Sequence, residues 1–269
     1  MDLSILIVNY NTKGFLRNCL KSIYENIHGI NYEIFVVDNA SSDGSSEMVE
    51  KEFPQVKLIR NKENVGFSKA NNQASKRATG EYFSLLNPDC LVKKGTLRKI
   101  VQFMNEHLEV GVVGCKIVNP NGRIEFSADK SLNLFTEFSL KFRKKLAGSN
   151  CYFDRLLTRN YNKLREVDWV IGAFLIVRSK VYREVQGMDE NYFLYFEEID
   201  FCKRIKKRGW KIYFNSDCEV LHLHGRSMAT EAKEKISRIY RESQLYYYKR
   251  HNPSQYFLLW LYLKLRGLI

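Results

Sequence analysis

Leu85-Leu86-Asn87-Pro88-Asp89-Cys90 is an apolar run that ends on a carboxylate. Further along, Glu197-Glu198-Ile199-Asp200 places three carboxylates within four residues, and His222-Leu223-His224-Gly225 follows. Carboxylate oxygens are the ligands a hard divalent cation prefers. A carboxylate crowded by like charges can have a raised pKa and act as a base. With an imidazole added, the set suits metal-assisted attack on a phosphate-activated substrate. Each piece also has a plainer reading. Asp89 fits a turn at a strand end. The acidic cluster fits a helix N-terminus, where the macrodipole favours negative charge, although three carboxylates so close repel one another. His222 and His224 fall on one side of a strand, and either could be structural.

The elements that must hold these residues alternate. Leu3–Val8 is a continuous apolar run, as in a strand buried on both faces. Phe15, Leu16, Cys19, Leu20, Ile23 and Ile27 recur at helical spacing, with Thr12 as the cap. Ile34–Val37 is the next strand and ends at Asp38. A helix capped by Asp43 runs through Phe53, and Val56–Ile59 is a third strand. Ser68 caps a helix to about Ala78 with Gly80 as its stop, and Tyr82–Leu86 is a fourth strand. This order predicts a doubly wound, mainly parallel sheet. Ligands bind such sheets at the carboxyl ends of the strands, where Asn9-Tyr10-Asn11, Asp38-Asn39 and Asn87-Pro88-Asp89 fall. Residues 119–166 lose the pattern and read as a partly helical insertion over the site. Then come a strand over Val167–Val177, helices over Ser179–Gln186 and Glu197–Lys207, short strands at Trp210–Phe214 and Glu219–His222, and a Tyr-rich helix from Thr230 to Lys249.

The six cysteines include no C-x-x-C pair, so they read as reduced thiols rather than disulfides or a zinc site. The chain opens directly on a strand, without a signal-peptide pattern; the expectation is a cytoplasmic protein. Its net charge is +13. From Lys203 to the end there are 15 Lys and Arg against 5 Asp and Glu, or +10 of that total. Tyr256–Lys264 is aromatic and Leu-rich, too short to span a bilayer, and flanked by basic residues. It suits a helix lying among lipid headgroups or one docked on the core. No G-x-G-x-x-G follows the first strand and no G-x-x-x-x-G-K-[ST] occurs, which excludes a dinucleotide fingerprint and a P-loop. A nucleic-acid binder rests on charge alone, since no helix-turn-helix, RRM or zinc motif is present. Asn64-Val-Gly66-Phe-Ser-Lys-Ala70-Asn71-Asn72 is a glycine turn opening a helix. It could face phosphate or be an ordinary capped helix.

Several pieces in order resemble the family 2 glycosyltransferases, inverting enzymes of the GT-A fold. They are Ile5-Leu-Ile-Val-Asn-Tyr-Asn11, Val36-Val-Asp-Asn-Ala-Ser-Ser-Asp-Gly44, Asn64-Val-Gly-Phe-Ser-Lys-Ala-Asn71, Leu85-Leu-Asn-Pro-Asp89, Gly172-Ala-Phe-Leu, Phe196-Glu-Glu-Ile-Asp-Phe-Cys-Lys-Arg204 and His222-x-x-Gly225-x-Ser227. The similarity is greatest to the rhamnosyltransferase-type branch that builds bacterial surface polysaccharides.

The resemblance implies a GT-A domain over residues 1–227, with a nucleotide-sugar half (1–118) and an acceptor half (119–227), and a basic, aromatic helical extension over 228–269. It implies that Asp38 holds uracil or thymine, that Asn9 and Asn11 line the nucleotide pocket, and that Asn71 sits near the donor. Asn87-Pro-Asp89 matches the family's D-x-D motif, with Asn87 in place of the first Asp and Asp89 the ligand for Mg²⁺ or Mn²⁺. His222 matches the metal-binding histidine. The E-D motif falls on Glu197-Glu198; Glu198 is the expected base, with Glu197 and Asp200 as alternatives. The implied reaction moves a sugar, with rhamnose one candidate, from a UDP- or dTDP-sugar to a glycan or lipid-linked acceptor, at the inner face of the cytoplasmic membrane. The alternative is a sugar-nucleotide binding module of weak activity, for which Asn87 and Glu198 speak.

Overall fold

The computed structural model describes residues 1–130, 132–139, 159–223 and 233–269. Its centre is a nine-stranded sheet. The strands are β1 (Leu3–Asn9), β2 (Tyr32–Asp38), β3 (Lys57–Arg60), β4 (Tyr82–Leu86), β5 (Cys90–Val92), β6 (Val110–Val118), β8 (Arg165–Val167), β10 (Phe174–Arg178) and β11 (Lys211–His222). Their order is β3-β2-β1-β4-β10-β6-β11-β5, with β8 also on β11. Six strands point one way, and β10, β5 and β8 run against them. Two short strands, β7 (Ala128–Asp129) and β9 (Trp169–Val170), form a separate antiparallel pair. The parallel, helix-connected first half is the predicted doubly wound arrangement.

Helices cover both faces. On one, α1 (Lys13–Asn26), α2 (Ser45–Glu52) and α4 (Thr96–Glu106) pack residues such as Leu16, Leu20, Met48 and Ile100 onto the sheet. On the other, α3 (Phe67–Ser75), α5 (Ser179–Glu184) and α6 (Glu197–Lys207) contribute Ala70, Val181, Phe201 and Ile205. A third cluster joins Leu132, Tyr192 and Phe196 to the last two helices, α7 (Lys233–His251) and α8 (Pro253–Leu265), through Tyr247, Tyr248, Leu259 and Leu263.

Several local expectations change. Thr12 does precede α1, but its hydroxyl donates to Asn9 Oδ1 at 2.5 Å instead of capping the helix. Ser68 lies inside α3, whose cap position is Gly66, and the helix ends at Ser75. Gly80 therefore stops nothing; it is where the chain crosses β1, and a Cβ there would stand 2.5 Å from the Ser4 backbone nitrogen. The run Val167–Val177 is not one strand but parts of β8, β9 and β10, because its segments pair with different partners: β11, β7, and β4 with β6. An apolar run reports burial, not partners. Conversely, the expected strands Trp210–Phe214, from Lys211 on, and Glu219–His222 belong to the single strand β11, with a register shift between Asn215 and Glu219. There Asn215 Oδ1 accepts from the Asp217 N–H, a local turn that absorbs the extra residues. The Tyr-rich helix runs Lys233–His251, and the remainder of its expected span lies outside the described residues, as do His224 and much of the 119–166 insertion. Five cysteines are buried free thiols; Cys151 lies outside the described residues.

One buried charge cluster ties the last helices to the sheet domain. Asp200 on α6 is 0% exposed. It accepts from Arg204 Nε at 2.6 Å and pairs with His251 Nε2 at 2.6 Å. Arg204 also donates to the carbonyls of Val185 and Gly187. Removing one member of such a buried set strands the others without partners. Asp200→Asn is expected to cost about 3 kcal/mol of stability, read as a lower urea midpoint; an unchanged midpoint would remove Asp200 from this structural role.

Candidate active site

The site forms along one edge of the sheet, where β1, β2, β4 and β11 end. In register, Asn9 lies beside Asp38, and His222 beside Cys90. Asn9 Nδ2 donates to Asp38 Oδ1 at 2.8 Å and to Ser41 Oγ at 3.0 Å. Asp38 also accepts from the Ser41 hydroxyl and N–H and from the Ser46 hydroxyl. Asn11, in the left-handed region at φ 53, accepts from the Ser42 N–H. These bonds lock the 38–46 turn against the end of β1, and Asp38 is 4% exposed within them. Beside them opens a cleft of about 660 Å³ with Tyr10, Asn39, Asn64, Asn87, Asp89 and Phe193 in its wall. Gly66 forms part of the same wall with φ 84, and a Cβ on it would lie 2.7 Å from the Phe193 carbonyl, so only glycine fits. Asn71 is buried on α3; it donates to the Phe67 carbonyl, and its Oδ1 has no partner among the described residues. Tyr10 and Asn39 fall at the strand ends where the sequence placed the ligand edge, and Asn64 in the glycine turn that it marked as able to face phosphate; Phe193 was missed, since nothing in its local sequence points to the cleft.

The short strand β5 reverses against β11, and this brings Asp89 to His222. Asp89 is 5% exposed, and its Oδ1 makes no hydrogen bond among the described residues. It lies 3.4 Å from His222 Nε2, and on the other side of the ring Glu125 Oε2 lies 3.3 Å from Nδ1. Burial opposes charging the imidazole, but the two carboxylates outweigh it and raise its pKa to about 9. Glu125 was missed in the sequence because it sits in a stretch without periodicity. Cys90 is close enough to join the cluster, but its thiol points to the Ala173 carbonyl, and burial raises its pKa well above the usual value. The donors suited to a hard cation are therefore a shielded carboxylate oxygen without a hydrogen-bond partner and an imidazole nitrogen. Asp89 and His222 fit Mg²⁺ or Mn²⁺, and Glu125 is placed to hold the imidazole from behind, as outer partners of metal-bound histidines do.

The acidic helix α6 begins after two residues in the left-handed region, Tyr195 (φ 72) and Phe196 (φ 66). For non-glycine residues this conformation costs on the order of 1–3 kcal/mol each and concentrates at functional sites. The three carboxylates that follow have three environments. Asp200 is engaged by Arg204 and His251. Glu197 is 4% exposed, and its pKa is pushed well up by burial and then by Glu198. Glu198 packs beside Gly172 and has its pKa raised by burial to about 7, against the pull of backbone N–H groups. Its Oε2 has no partner among the described residues. Glu198 opens into a pocket of about 700 Å³ walled by Phe126, Trp169, Tyr195, Phe196 and Tyr240. Aromatic walls around a carboxylate near neutral pKa suit a hydroxyl-bearing, partly apolar ligand such as a sugar ring.

Comparisons with known proteins bear on this arrangement. A mannosyltransferase from Pyrobaculum calidifontis, solved with GDP-Man and Mn²⁺, superposes with a TM-score of 0.61 at 18% identity, over 88% of this chain and 60% of that one. The S. aureus TarS fragment solved with UDP-GlcNAc gives 0.60 at 20% identity, over 89% of this chain and 65% of that one. The fold is thus that of the GT-A glycosyltransferases. In sequence, the chain is 24% identical over 234 residues to the N-acetylglucosaminyl-diphospho-decaprenol L-rhamnosyltransferase of Mycobacterium tuberculosis, covering 81% of this chain and 75% of that protein. It is 22% identical to the rhamnosyltransferase WbbL of Escherichia coli, over 81% and 82% respectively. Residues 4–165 match the sequence profile of glycosyl transferase family 2. The chain belongs to that family.

Proposed function

We propose that this protein is an inverting, metal-dependent glycosyltransferase that moves a sugar from a nucleotide-sugar to a hydroxyl of a lipid-linked glycan. The observation that carries the reading is Glu198: a carboxylate with an oxygen unpartnered among the described residues, in an aromatic pocket and packed beside Gly172, whose neighbour Ala173 accepts from the Asn87 N–H two residues before Asp89. Rhamnose is the first candidate sugar, from the rhamnosyltransferases among the relatives. The donor nucleotide, UDP or dTDP, fits the cleft lined by Tyr10, Asn39 and Asn87.

The residues divide the work. Asn9, Asn11 and Asp38 brace the turn that shapes the nucleotide cleft. Asp89 and His222 would hold Mg²⁺ or Mn²⁺, which when bound neutralises charge on the departing nucleoside diphosphate. Glu198 takes the proton from the acceptor hydroxyl as that oxygen attacks the anomeric carbon. Bond formation to the acceptor and cleavage to the diphosphate occur in one displacement, so configuration inverts and no enzyme nucleophile is used. Burial keeps the Glu198 pKa high, which strengthens it as a proton acceptor, and Glu197 beside it is pushed well up by its own burial and by Glu198.

The last helix supports peripheral membrane attachment. No helix among the described residues is long and apolar enough to cross a membrane. In α8, Leu259 and Leu263 are buried in the third cluster, while Phe257, Leu258, Leu261, Tyr262 and Leu265 are exposed. Phe135 and Phe138, in the helical stretch 134–139, are exposed too, and Phe138 meets the Tyr262 ring at 6.1 Å. With +10 of charge in the last quarter of the chain, this apolar face suits an anionic bilayer, since each basic residue near such a surface adds about 1 kcal/mol.

Four outcomes test these assignments. Asp89→Ala should lower transfer by more than about 100-fold, the scale of several kcal/mol of charge stabilisation, and weaken Mn²⁺ binding in calorimetry; full transfer by this variant or in EDTA would remove the metal role. Glu198→Gln should lower the rate by about 10²–10⁴-fold with donor binding retained. Because the base must be ionised and its pKa is about 7, wild-type kcat/KM should decline as pH falls through 7, by about tenfold per unit below it; a flat profile from pH 5 to 8 contradicts the assignment. Finally, the full chain should float with phosphatidylglycerol vesicles at low salt, and Leu261→Glu with Leu265→Glu should leave it in the soluble fraction. Equal flotation of this double variant would place the contact elsewhere.

A further inference from the structure

Beside the Glu198 pocket is a second one of about 670 Å³, and the two share Leu132, Trp169 and Ile199 as common wall. The second pocket is lined by Lys203, Lys206 and Lys207 of α6 and by Tyr247 of α7. Ile199, Lys203 and Lys206 follow at i, i+4 and i+7, one stripe of the helix. Lys206 is committed to Asp168 and, at 3.6 Å, to Glu166, which also takes up the negative charge in this pocket. Lys203 and Lys207 make no ion pair among the described residues. Lys203 is half-buried, and its Nζ sits 5.3 Å from the centroid of the Tyr247 ring. Burying an ammonium without an ion-pair partner is costly, and burial, then Lys207, holds this one below its usual pKa range against the pull of Asp200. A second observation is independent of the lysines. Trp169 is 7% exposed, and its indole N–H, in the wall common to both pockets, has no acceptor among the described residues.

We infer that this second pocket binds the diphosphate of a glycosyl-diphosphate lipid acceptor, with Lys203 and Lys207 as its cationic contacts and the Trp169 N–H as a hydrogen-bond donor. The inference rests on the glycosyltransferase reading and adds the acceptor's anionic group and the residues that meet it. Spacing supports it. At 1.5 Å of rise per residue, Lys203 lies about 8 Å and Lys207 about 14 Å beyond Glu198 along the helix axis. That is the span of one sugar ring followed by a diphosphate. A hydroxyl presented to Glu198 then leaves the anion among the lysines. Leu132, in the shared wall, packs in the same cluster as Leu259 and Leu263 of α8, the helix whose other face is exposed and apolar. The lipid therefore has an apolar surface next to the pocket.

The test is calorimetric titration of the full chain with decyl diphosphate below its micelle concentration. The wild type should bind. The Lys203→Ala, Lys207→Ala double variant should bind at least about tenfold more weakly, the factor that corresponds to 1.4 kcal/mol for a lost charged hydrogen bond. The Lys203→Arg, Lys207→Arg variant should keep most of the affinity. Asp89→Ala should bind as the wild type does, because the donor's diphosphate cleft is a different site. Wild-type affinity in the alanine double variant overturns the inference, and so does a loss in Asp89→Ala as large as in the lysine variant. Phosphatidylglycerol vesicles separate the two phosphate sources: vesicle binding that falls in the alanine double variant while decyl diphosphate binding does not marks a headgroup contact and also overturns it. Hydrolysis of a nucleotide-sugar without acceptor reads the glycosyltransferase assignment separately, since it needs neither lysine.

Discussion

A carboxylate with no exposure to water must be paired, and Asp200 organises much of this molecule on that account. Its partners come from its own helix, Arg204, and from the end of α7, His251. Arg204 reaches on to the carbonyls of Val185 and Gly187. One charge thereby sets the acidic helix against the loop before it and against the C-terminal helices. The aromatic cluster of Tyr192, Phe196, Tyr247 and Tyr248 closes over the same junction. The strained backbone at Tyr195 and Phe196 is held within this frame, and a frame of that kind is what lets a few kcal/mol of local strain persist.

Three adjacent carboxylates show how environment sorts chemically similar groups. Asp200 is paired with the Arg204 guanidinium and the His251 ring. Glu197 is buried among apolar neighbours and beside a like charge. Glu198 lies at the mouth of a pocket, with burial partly offset by backbone N–H groups. Pairs of titratable groups pushed apart in this way are how one site separates a structural ion from a proton acceptor. Asp89 stands in a different setting. It is buried, but its neighbour is an imidazole held between two carboxylates, an arrangement with an excess of negative charge that a divalent cation would balance.

The C-terminal helices serve both the core and the surface. Leu259 and Leu263 complete the cluster that contains Phe196, while the aromatic and leucine side chains on the other face of α8 meet solvent. Docking on the core thus occupies one face of the helix and leaves the other for the proposed contact with lipid.

Most of the first half of the fold was legible in the sequence, because strands buried on both faces and amphipathic helices leave distinct periods. The strand ends carrying Asn9, Asp38 and Asp89 followed directly, since a parallel sheet places its ligand edge at the carboxyl ends. The acidic helix was also legible, with its bounds at Glu197–Lys207. What periodicity does not encode is partnership. It could not divide Val167–Val177 among three strands, nor join Trp210–Phe214 to Glu219–His222 across an irregular register. It gave no sign of Glu125, which meets His222 only because β11 ends beside the loop after β6. It could not say that Asp200 would be spent on His251, 51 residues away, while Glu198 kept an oxygen without a partner among the described residues. Residue type and spacing determined which groups were available to this protein. Long-range pairing decided which of them are neutralised, which are shielded, and which face a cavity, because charge and burial depend on neighbours that only the folded chain supplies.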